Sequence, residues 1–252
     1  MALYRDQAIV LRRLDYSETS QVLLVFCRTL GPQRLIAKGI KRGTKSRFAV
    51  GVDLLEAGVV NFSRRDGGAA HLATMTEWTQ SDLNAHLRRD LASLHVALYG
   101  AEVTGQLMEE GDPHPELYDA FAAFLADHPH DEPLARLVVY LPTLLHHIGL
   151  WPRLDACAGC GRDIGSDELT YFSSHQGGLL CRECEPAAVE KRRVSHETVE
   201  ALRWATSDSP PPPGRDAPDA IRSAFDLLDY HLSELMSRPP RLSRPLRVVL
   251  GA

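Results

Sequence analysis

The sequence predicts an α+β multidomain chain, with an N-terminal barrel of five short strands followed by an α-helical domain that carries a four-cysteine unit. Three patterns predict it. Over residues 1–80, apolar and β-branched residues come in short runs broken by turn residues. From Ser81 the apolar spacing lengthens to three and four, the period of helices. Two C-x-x-C pairs, Cys157–Cys160 and Cys181–Cys184, then stand twenty residues apart. The expected domains are 1–80 and 81–252, with the cysteine unit at about 152–190.

The five runs are Gln7–Asp15, Gln21–Thr29, Gln33–Ile40, Leu54–Asn61 and Ala69–Thr76. They are separated by YSETS, by Gly31-Pro32, by the long GIKRGTKSR stretch and by SRRDGG, all turn or loop signals. Five short strands with one long basic loop fit a small Greek-key barrel of the OB type; an SH3-like barrel is the alternative, because strand order is invisible in one sequence. In the third run, alternation puts Arg34 and Lys38 on one face and Leu35 and Ala37 on the other.

Charge is unevenly spread. The chain has a formal net charge of -5, yet residues 1–80 hold 12 basic and 7 acidic side chains, whereas 81–150 hold 3 and 11. Between Thr19 and Val52 there is no acidic residue, while Arg28, Arg34, Lys38, Lys41, Arg42, Lys45 and Arg47 all fall there. Such a basic segment in an acidic chain points to an anionic partner; a merely solvated basic hairpin is the bland alternative. OB barrels bind single strands with a cationic groove and stacked aromatic rings. The head offers Tyr4, Tyr16, Phe26, Phe48, Phe62 and Trp78. Most are expected in the core, with Phe48, directly after Arg47, the best candidate for stacking. Gly39–Ser46 is not a phosphate-binding P-loop: three residues, not four, separate Gly39 from Gly43, and Thr44 intervenes before Lys45.

Ser81 is expected to cap a long helix with a stripe of Leu83, Leu87, Leu91, Leu94 and Leu98, running to Gly111-Asp112-Pro113. A second helix is expected over Pro115–Ala126, with Leu117, Phe121, Phe124 and Leu125 inward. A third is expected over Glu132–Gly149, kinked or broken at Pro142. The acidic patch of Glu109, Glu110, Asp112, Glu116 and Asp119 reads as a solvated loop or, alternatively, as a site for a basic partner. His114, His128, His130, His146 and His147 form no H-E-x-x-H and read as packing or surface residues.

The two cysteine pairs are the most specific motif. Cysteines three apart on a tight turn can aim both sulfurs at one ion, and a second such turn completes a tetrahedron. Cys157, Cys160, Cys181 and Cys184 are therefore expected to hold one structural Zn2+ in a closed set, with no position for water or substrate. Glu168–Ser174 and Gly178–Leu180 suit a hairpin between them, as in a zinc ribbon. Cys27, inside an apolar run, reads as a small core residue.

After the cysteines, Ser195 caps a helix with Val199, Leu202 and Trp204, and Ser209-Pro-Pro-Pro-Pro-Gly is a stiff connection. Pro218–Met236 reads as a last helix with Ile221, Phe225, Leu228 and Leu232 as its stripe. The tail brings Arg238, Arg241, Arg244 and Arg247, a second contact for a partner or a disordered end. No apolar run reaches the roughly 20 residues of a membrane helix, and Asp6 and Gln7 interrupt any signal-peptide core, so a cytoplasmic protein without membrane partners is expected. No G-x-S-x-G, P-loop or H-E-x-x-H is present, and the chain reads as a non-enzyme.

IVLRRLDYSET near the start, LGPQRLIAKGIKRGTKSR after it, an acidic helical middle and the paired cysteines together resemble the RecO family of bacterial recombination mediators over nearly the full length. That resemblance implies an OB fold at the N-terminus and binding of single- and double-stranded DNA. It also implies annealing of strands coated by single-strand-binding protein, and partnership with RecR in loading RecA. The tail RPLRVVLGA departs from the more serine- and arginine-rich ending usual in the family. Phosphate contacts are expected from Arg34, Lys38, Lys41, Arg42, Lys45 and Arg47. A protein-binding adaptor with incidental DNA binding is the alternative, and a zinc enzyme a third reading opposed by the closed thiol set.

Overall fold

The computed structural model describes residues 2–40, 52–64, 72–81, 83–126, 132–164, 170–207 and 218–251. They form two compact units, 1–129 with 244–252 and 130–243. Most of the expected basic loop, with Lys41, Arg42, Lys45, Arg47 and Phe48, and the Ser209–Gly214 connection lie outside the described residues.

In the first unit, β1 (Ala2–Asp15), β2 (Gln21–Cys27), β3 (Gly31–Ala37), β4 (Ala57–Arg64) and β5 (Ala73–Ser81) close into a barrel in the order β1-β2-β3-β5-β4. The β3–β5 pair is parallel, and β1 pairs antiparallel with both β2 and β4. This is the five-stranded Greek-key order of the OB fold. One long strand can serve two neighbours because β1 has an irregularity between Val10 and Arg12, which bends it from one partner to the other. Alternation sends Ala8, Val10, Leu23, Val25, Leu35, Ala37, Val60 and Phe62 into a dry interior. Cys27 is fully buried there, and burial first, then the nearby Asp6 carboxylate, raises its thiol pKa.

Asp6 is the buried acid of the barrel. Its Oδ2 accepts from Thr29 N (2.8 Å), Thr29 Oγ1 (2.9 Å) and Leu30 N (3.0 Å), and its Oδ1 from Gln7 N (2.8 Å). A carboxylate so satisfied ties the β2–β3 turn to β1, where an unpaired one would be costly.

The helical part of this unit differs from the expected long helix. Ser81 ends β5, and its hydroxyl donates to Ala57 O (2.9 Å). A 3-10 turn follows at Ala85–Arg89, and α1 starts only at Leu91 and runs to Leu107. Its cap is Asp90, whose carboxylate accepts from Ser93 N (2.7 Å). Leu83 and Leu91 are 71% and 59% exposed, and the buried face is Val96, Ala97, Tyr99, Gly100, Val103 and Thr104. Small residues share that face with Tyr99 where a neighbour comes close: a Cβ on Gly100 would meet Phe124 Cε1 at 2.7 Å. A leucine count overlooks such a face. α2 (Pro115–Leu125) buries Leu117, Phe121, Phe124 and Leu125 as expected, and Phe26 of β2 meets Tyr118 edge-on with ring centres 5.5 Å apart.

The second unit holds α3 (Pro133–His147), α4 (His196–Ala205), α5 (Pro218–Leu235) and a small sheet ordered β7 (Gly178–Leu180), β6 (Thr170–Ser173), β8 (Arg192–Val194). α3 runs unbroken through the buried Pro142, with Glu132 accepting from Ala135 N (2.8 Å) as its cap. The expected hairpin is present as β6 and β7, and β8 is a third strand that its three residues did not announce. Ser195 caps α4 by accepting from Thr198 N (3.2 Å). The tail is not a disordered end, since Ser243–Val249 forms α6 with Leu246 fully buried.

The sheet is clasped to α5 by a partly buried polar network. Glu190 accepts from Ser173 Oγ (2.8 Å), His175 N (3.1 Å) and the Tyr230 hydroxyl. His231 lies beside Ser174 Oγ (2.7 Å, Nδ1) and Leu150 O (3.1 Å, Nε2). A carbonyl only accepts, so Nε2 carries the hydrogen and Nδ1 accepts from Ser174. Burial holds the His231 pKa below its ordinary 6.5. The unfolded chain then binds a proton that the folded one refuses. Stability from this site is therefore present above about pH 6.5 and lost as pH falls towards the folded pKa. Unfolding midpoints taken from about pH 7.5 to 5.5 are expected to fall, and His231→Gln to flatten that dependence.

Candidate functional site

The four thiols come together as two knuckles. In the first, Gly161 N donates to Cys157 O (2.8 Å) and Cys157 N to Arg162 O (2.9 Å). In the second, Cys184 N and Glu185 N donate to Cys181 O (3.1 and 3.0 Å). Ala158 N donates to Leu179 O (2.7 Å), which ties the first knuckle to β7. All four sulfurs lie within 4.8 Å of one another, and Cys160 Sγ is 3.9 Å from Cys181 Sγ. A tetrahedron with metal–sulfur bonds of about 2.3 Å has edges of about 3.8 Å, so the cage has the right size for one ion. Among the described residues, no histidine joins it.

The surroundings treat the thiols unequally. Cys157 and Cys181 are fully buried. Burial raises the Cys157 pKa, but the backbone N–H groups of Cys181, Cys160 and Gly159 outweigh it and bring the pKa to about 6. Hydrogen bonds with Cys160 and Cys181 push Cys184 the other way, to about 12. Four adjacent sulfurs cannot all be thiolates unless a cation compensates them. Gly159 completes the fit: a Cβ there would sit 3.2 Å from Cys184 Sγ, crowding the cage. The donor set suits a metal ion, with no ligand position left over.

The expected phosphate-contact residues divide. Arg34 and Lys38 are described and exposed, while Lys41, Arg42, Lys45 and Arg47 are outside the described residues. Arg34 is opposed by Glu110, with Nε 3.6 Å from Oε2 and its backbone N donating to Oε1 (3.2 Å). Beside it, Gly111 N donates to Pro32 O (2.8 Å). Among the described residues β3 pairs with β5 at Leu35 and Ile36, and Glu110 and Gly111 bond the backbone of Arg34 and Pro32 farther along the strand. Arg28 is held by Asp119, donating from Nε (2.8 Å) and Nη2 (2.6 Å). That hydrogen bond lowers the Asp119 pKa. The acidic patch and the basic segment, two separate features in the sequence, thus partly neutralise each other. Asp112, in the same patch, bonds His114 (2.9 Å).

Above those ion pairs the outer face of β1–β2–β3 carries residues that the sequence reading left unassigned. Register puts Arg12, Leu24 and Arg34 in one row and Leu14, Val22 and Ile36 in the next. Tyr16 N donates to Ser20 O (3.0 Å), continuing the ladder by one step, so alternation places Tyr16 on the same face as Arg12 and Leu14. Tyr4 stacks on Phe62, while Phe26, Phe62 and Trp78 are buried, which leaves Tyr16 as the exposed aromatic ring among the described barrel residues. The alternation in LRRLDY was the signal that could have found this row.

Comparison with known proteins agrees with this architecture. Residues 1–95 match the family model for the N-terminal part of recombination protein O, and residues 88–245 match the model for its C-terminal part. The chain is 31% identical to a protein of Rhodopirellula baltica, over 82% of this chain and 76% of that one. It is 32% identical to one from Anaeromyxobacter dehalogenans strain 2CP-C, over 91% of each, and 31% identical to one from Syntrophomonas wolfei, over 77% and 75%. All three bear the name DNA repair protein RecO. An OB barrel, a helical part with a four-thiol cage, and both family models in their order along one sequence lead to one conclusion: the chain belongs to the RecO family.

Proposed function

We propose that this chain is a DNA-binding recombination mediator in DNA repair. It binds single- and double-stranded DNA through residues 1–80 and anneals complementary strands. With RecR, it helps load RecA onto strands coated by single-strand-binding protein. The observation that carries this reading is the basic segment Arg28–Arg47, which contains β3 of an OB barrel in a chain of net charge -5. Membership of the RecO family supports the repair role. Annealing needs two polyanions held together with their repulsion screened, which several cations achieve without a nucleophile or bound nucleotide. We assign no catalytic group.

Phosphate contacts fall to Lys38, Lys41, Arg42, Lys45 and Arg47, with a smaller share for Arg34 because Glu110 already opposes it. The four cysteines hold one structural Zn2+, which supplies a cross-link and no chemistry. The protein acts in the cytoplasm at the nucleoid; no helix among the described residues is long and apolar enough to cross a membrane. The competing reading, an adaptor with incidental DNA binding, draws on the same two ion pairs, since they reduce the free cationic surface. Strand annealing by the purified protein on coated complementary strands decides between them. The mediator anneals, and Lys38→Glu with Arg42→Glu slows it; an adaptor shows neither effect.

A further inference from the structure

The outer face of β1–β2–β3 is divided into two halves of opposite character. Towards the β2–β3 turn it is closed: Leu24 packs under α1, Phe26 under α2, and the cations Arg28 and Arg34 face Asp119 and Glu110. Towards the β1–β2 turn the described residues leave it open. Leu14 is 56% exposed, Val22 and Ile36 are half-buried, and Tyr16 is 66% exposed. Arg12 flanks this apolar strip on β1, and Lys38 follows β3 on its other side, leading into the segment that carries Lys41, Arg42, Lys45 and Arg47. The Tyr16 turn is firmly built, since Ser17 N donates to Ser20 O (3.2 Å) and Ser20 N to Ser17 Oγ (3.1 Å). A ring on such a turn loses little freedom when something stacks on it.

We infer that single-stranded nucleic acid crosses the open half of this face, with a base stacked on Tyr16, neighbouring bases over Leu14, Val22 and Ile36, and phosphates on Arg12 and Lys38. The inference rests on the DNA-binding reading above and adds the path and a residue that selects single strands. Charge names the occupant, because an apolar strip between cations matches a strand that presents base faces between phosphates. A protein segment would have to be both apolar and acidic to fit as well. Duplex DNA keeps its bases stacked inside and offers Tyr16 nothing to cover. Duplex therefore uses the cations alone. Arg28, held at two points by Asp119 in the closed half, lies off the path.

The experiment measures binding of the full-length protein to an oligo-dT and to a duplex of equal length, by fluorescence anisotropy over a range of salt. Tyr16→Ala is expected to weaken oligo-dT binding about tenfold, to change duplex binding less than about twofold, and to leave the salt slope unaltered. Tyr16→Phe keeps the ring and is expected to match the parent. Arg28→Ala is expected to leave both affinities within about twofold. The inference falls if Tyr16→Ala leaves oligo-dT binding unchanged, as it would if this strip serves a protein partner. It falls also if single strand and duplex lose equally, or if Arg28→Ala costs as much as Tyr16→Ala. The Lys38→Glu, Arg42→Glu variant separates the two readings. Weakened binding there, with Tyr16→Ala silent, overturns the stacking path and keeps the DNA-binding reading; absence of binding by the parent protein overturns both.

Discussion

Serine in place of Cys157 is expected to abolish metal binding and to unfold the knuckles and the three-stranded sheet, at a cost on the order of 5 kcal/mol. Cys157 is the most committed of the four thiols: it is fully buried, accepts from Cys181 N (3.4 Å), and has its pKa lowered by backbone N–H groups. The apolar cluster around the cage is too small to fold alone, for it contains little besides Leu180, Ala188, Ile164 and Tyr171. The metal is therefore expected to supply the missing cross-link. The helical core of α3, α4 and α5 does not depend on the cage, so the loss should stop there, whereas the clasp of Glu190 and Ser174 on α5 goes with the sheet. Metal analysis of the purified protein is expected to give about one zinc per chain, and none for Cys157→Ser. Cys27→Ala is expected to keep the metal, because that thiol sits in the barrel core. Hydrogen exchange should show protection lost over residues 154–194 and retained in α5. Full metal content in Cys157→Ser, or loss of metal in Cys27→Ala, would contradict this assignment.

The double charge reversal Lys38→Glu, Arg42→Glu is expected to weaken DNA binding on the order of 10- to 100-fold at low salt, whatever the base sequence. Two lost phosphate contacts should also reduce the dependence of log affinity on log salt, by about 1.8 on duplex and about 1.4 on single strands. Lys38 is exposed and one residue past β3, so its reversal should not disturb the barrel. An equal thermal midpoint for variant and parent would verify that. Unchanged affinity with an unchanged salt slope would remove the phosphate-contact assignment. The complementary change, Glu110→Gln with Asp119→Asn, keeps hydrogen-bond acceptors on Arg34 and Arg28 while removing two negative charges. Carboxylates on exposed cations are weak holds, worth about 1 kcal/mol or less each in solvent, so neutralising them is expected to raise DNA affinity only severalfold.

The runs between Gln7 and Thr76 marked five strands because alternation and turn residues are local properties. The cage was legible for the same reason: each knuckle is four residues long, and the chemistry of four thiolates allows few alternatives. The expected long helix from Ser81 failed because Ser81 is paired in β5 and because the buried face of α1 is built on Val96, Tyr99, Gly100 and Val103, which leucine spacing does not mark. The reading of Arg34 was incomplete because its partner Glu110 lies 76 residues away, and a charge count cannot pair residues across such a distance. β8 escaped notice because its Arg-Arg-Val has no apolar period; it is a strand through its pairing with β6.

By itself, then, the sequence determined the strands of the barrel, the four cysteines of the cage, the basic segment and the resemblance to the RecO family. All of these depend on short stretches whose residue types carry their own geometry or charge. Only the tertiary structure decided which strands are neighbours, which cations are already opposed, and which aromatic ring is left outside. Strand order placed β3 beside β5, and the fold brought Glu110 and Gly111 onto the backbone of Arg34 and Pro32. Packing buried Phe26, Phe62 and Trp78 and left Tyr16 at the surface. Those outcomes arise from burial and pairing between residues distant in sequence; alternation in LRRLDY puts Tyr16 on a face with Arg12 and Leu14, and packing decides that this face stays exposed.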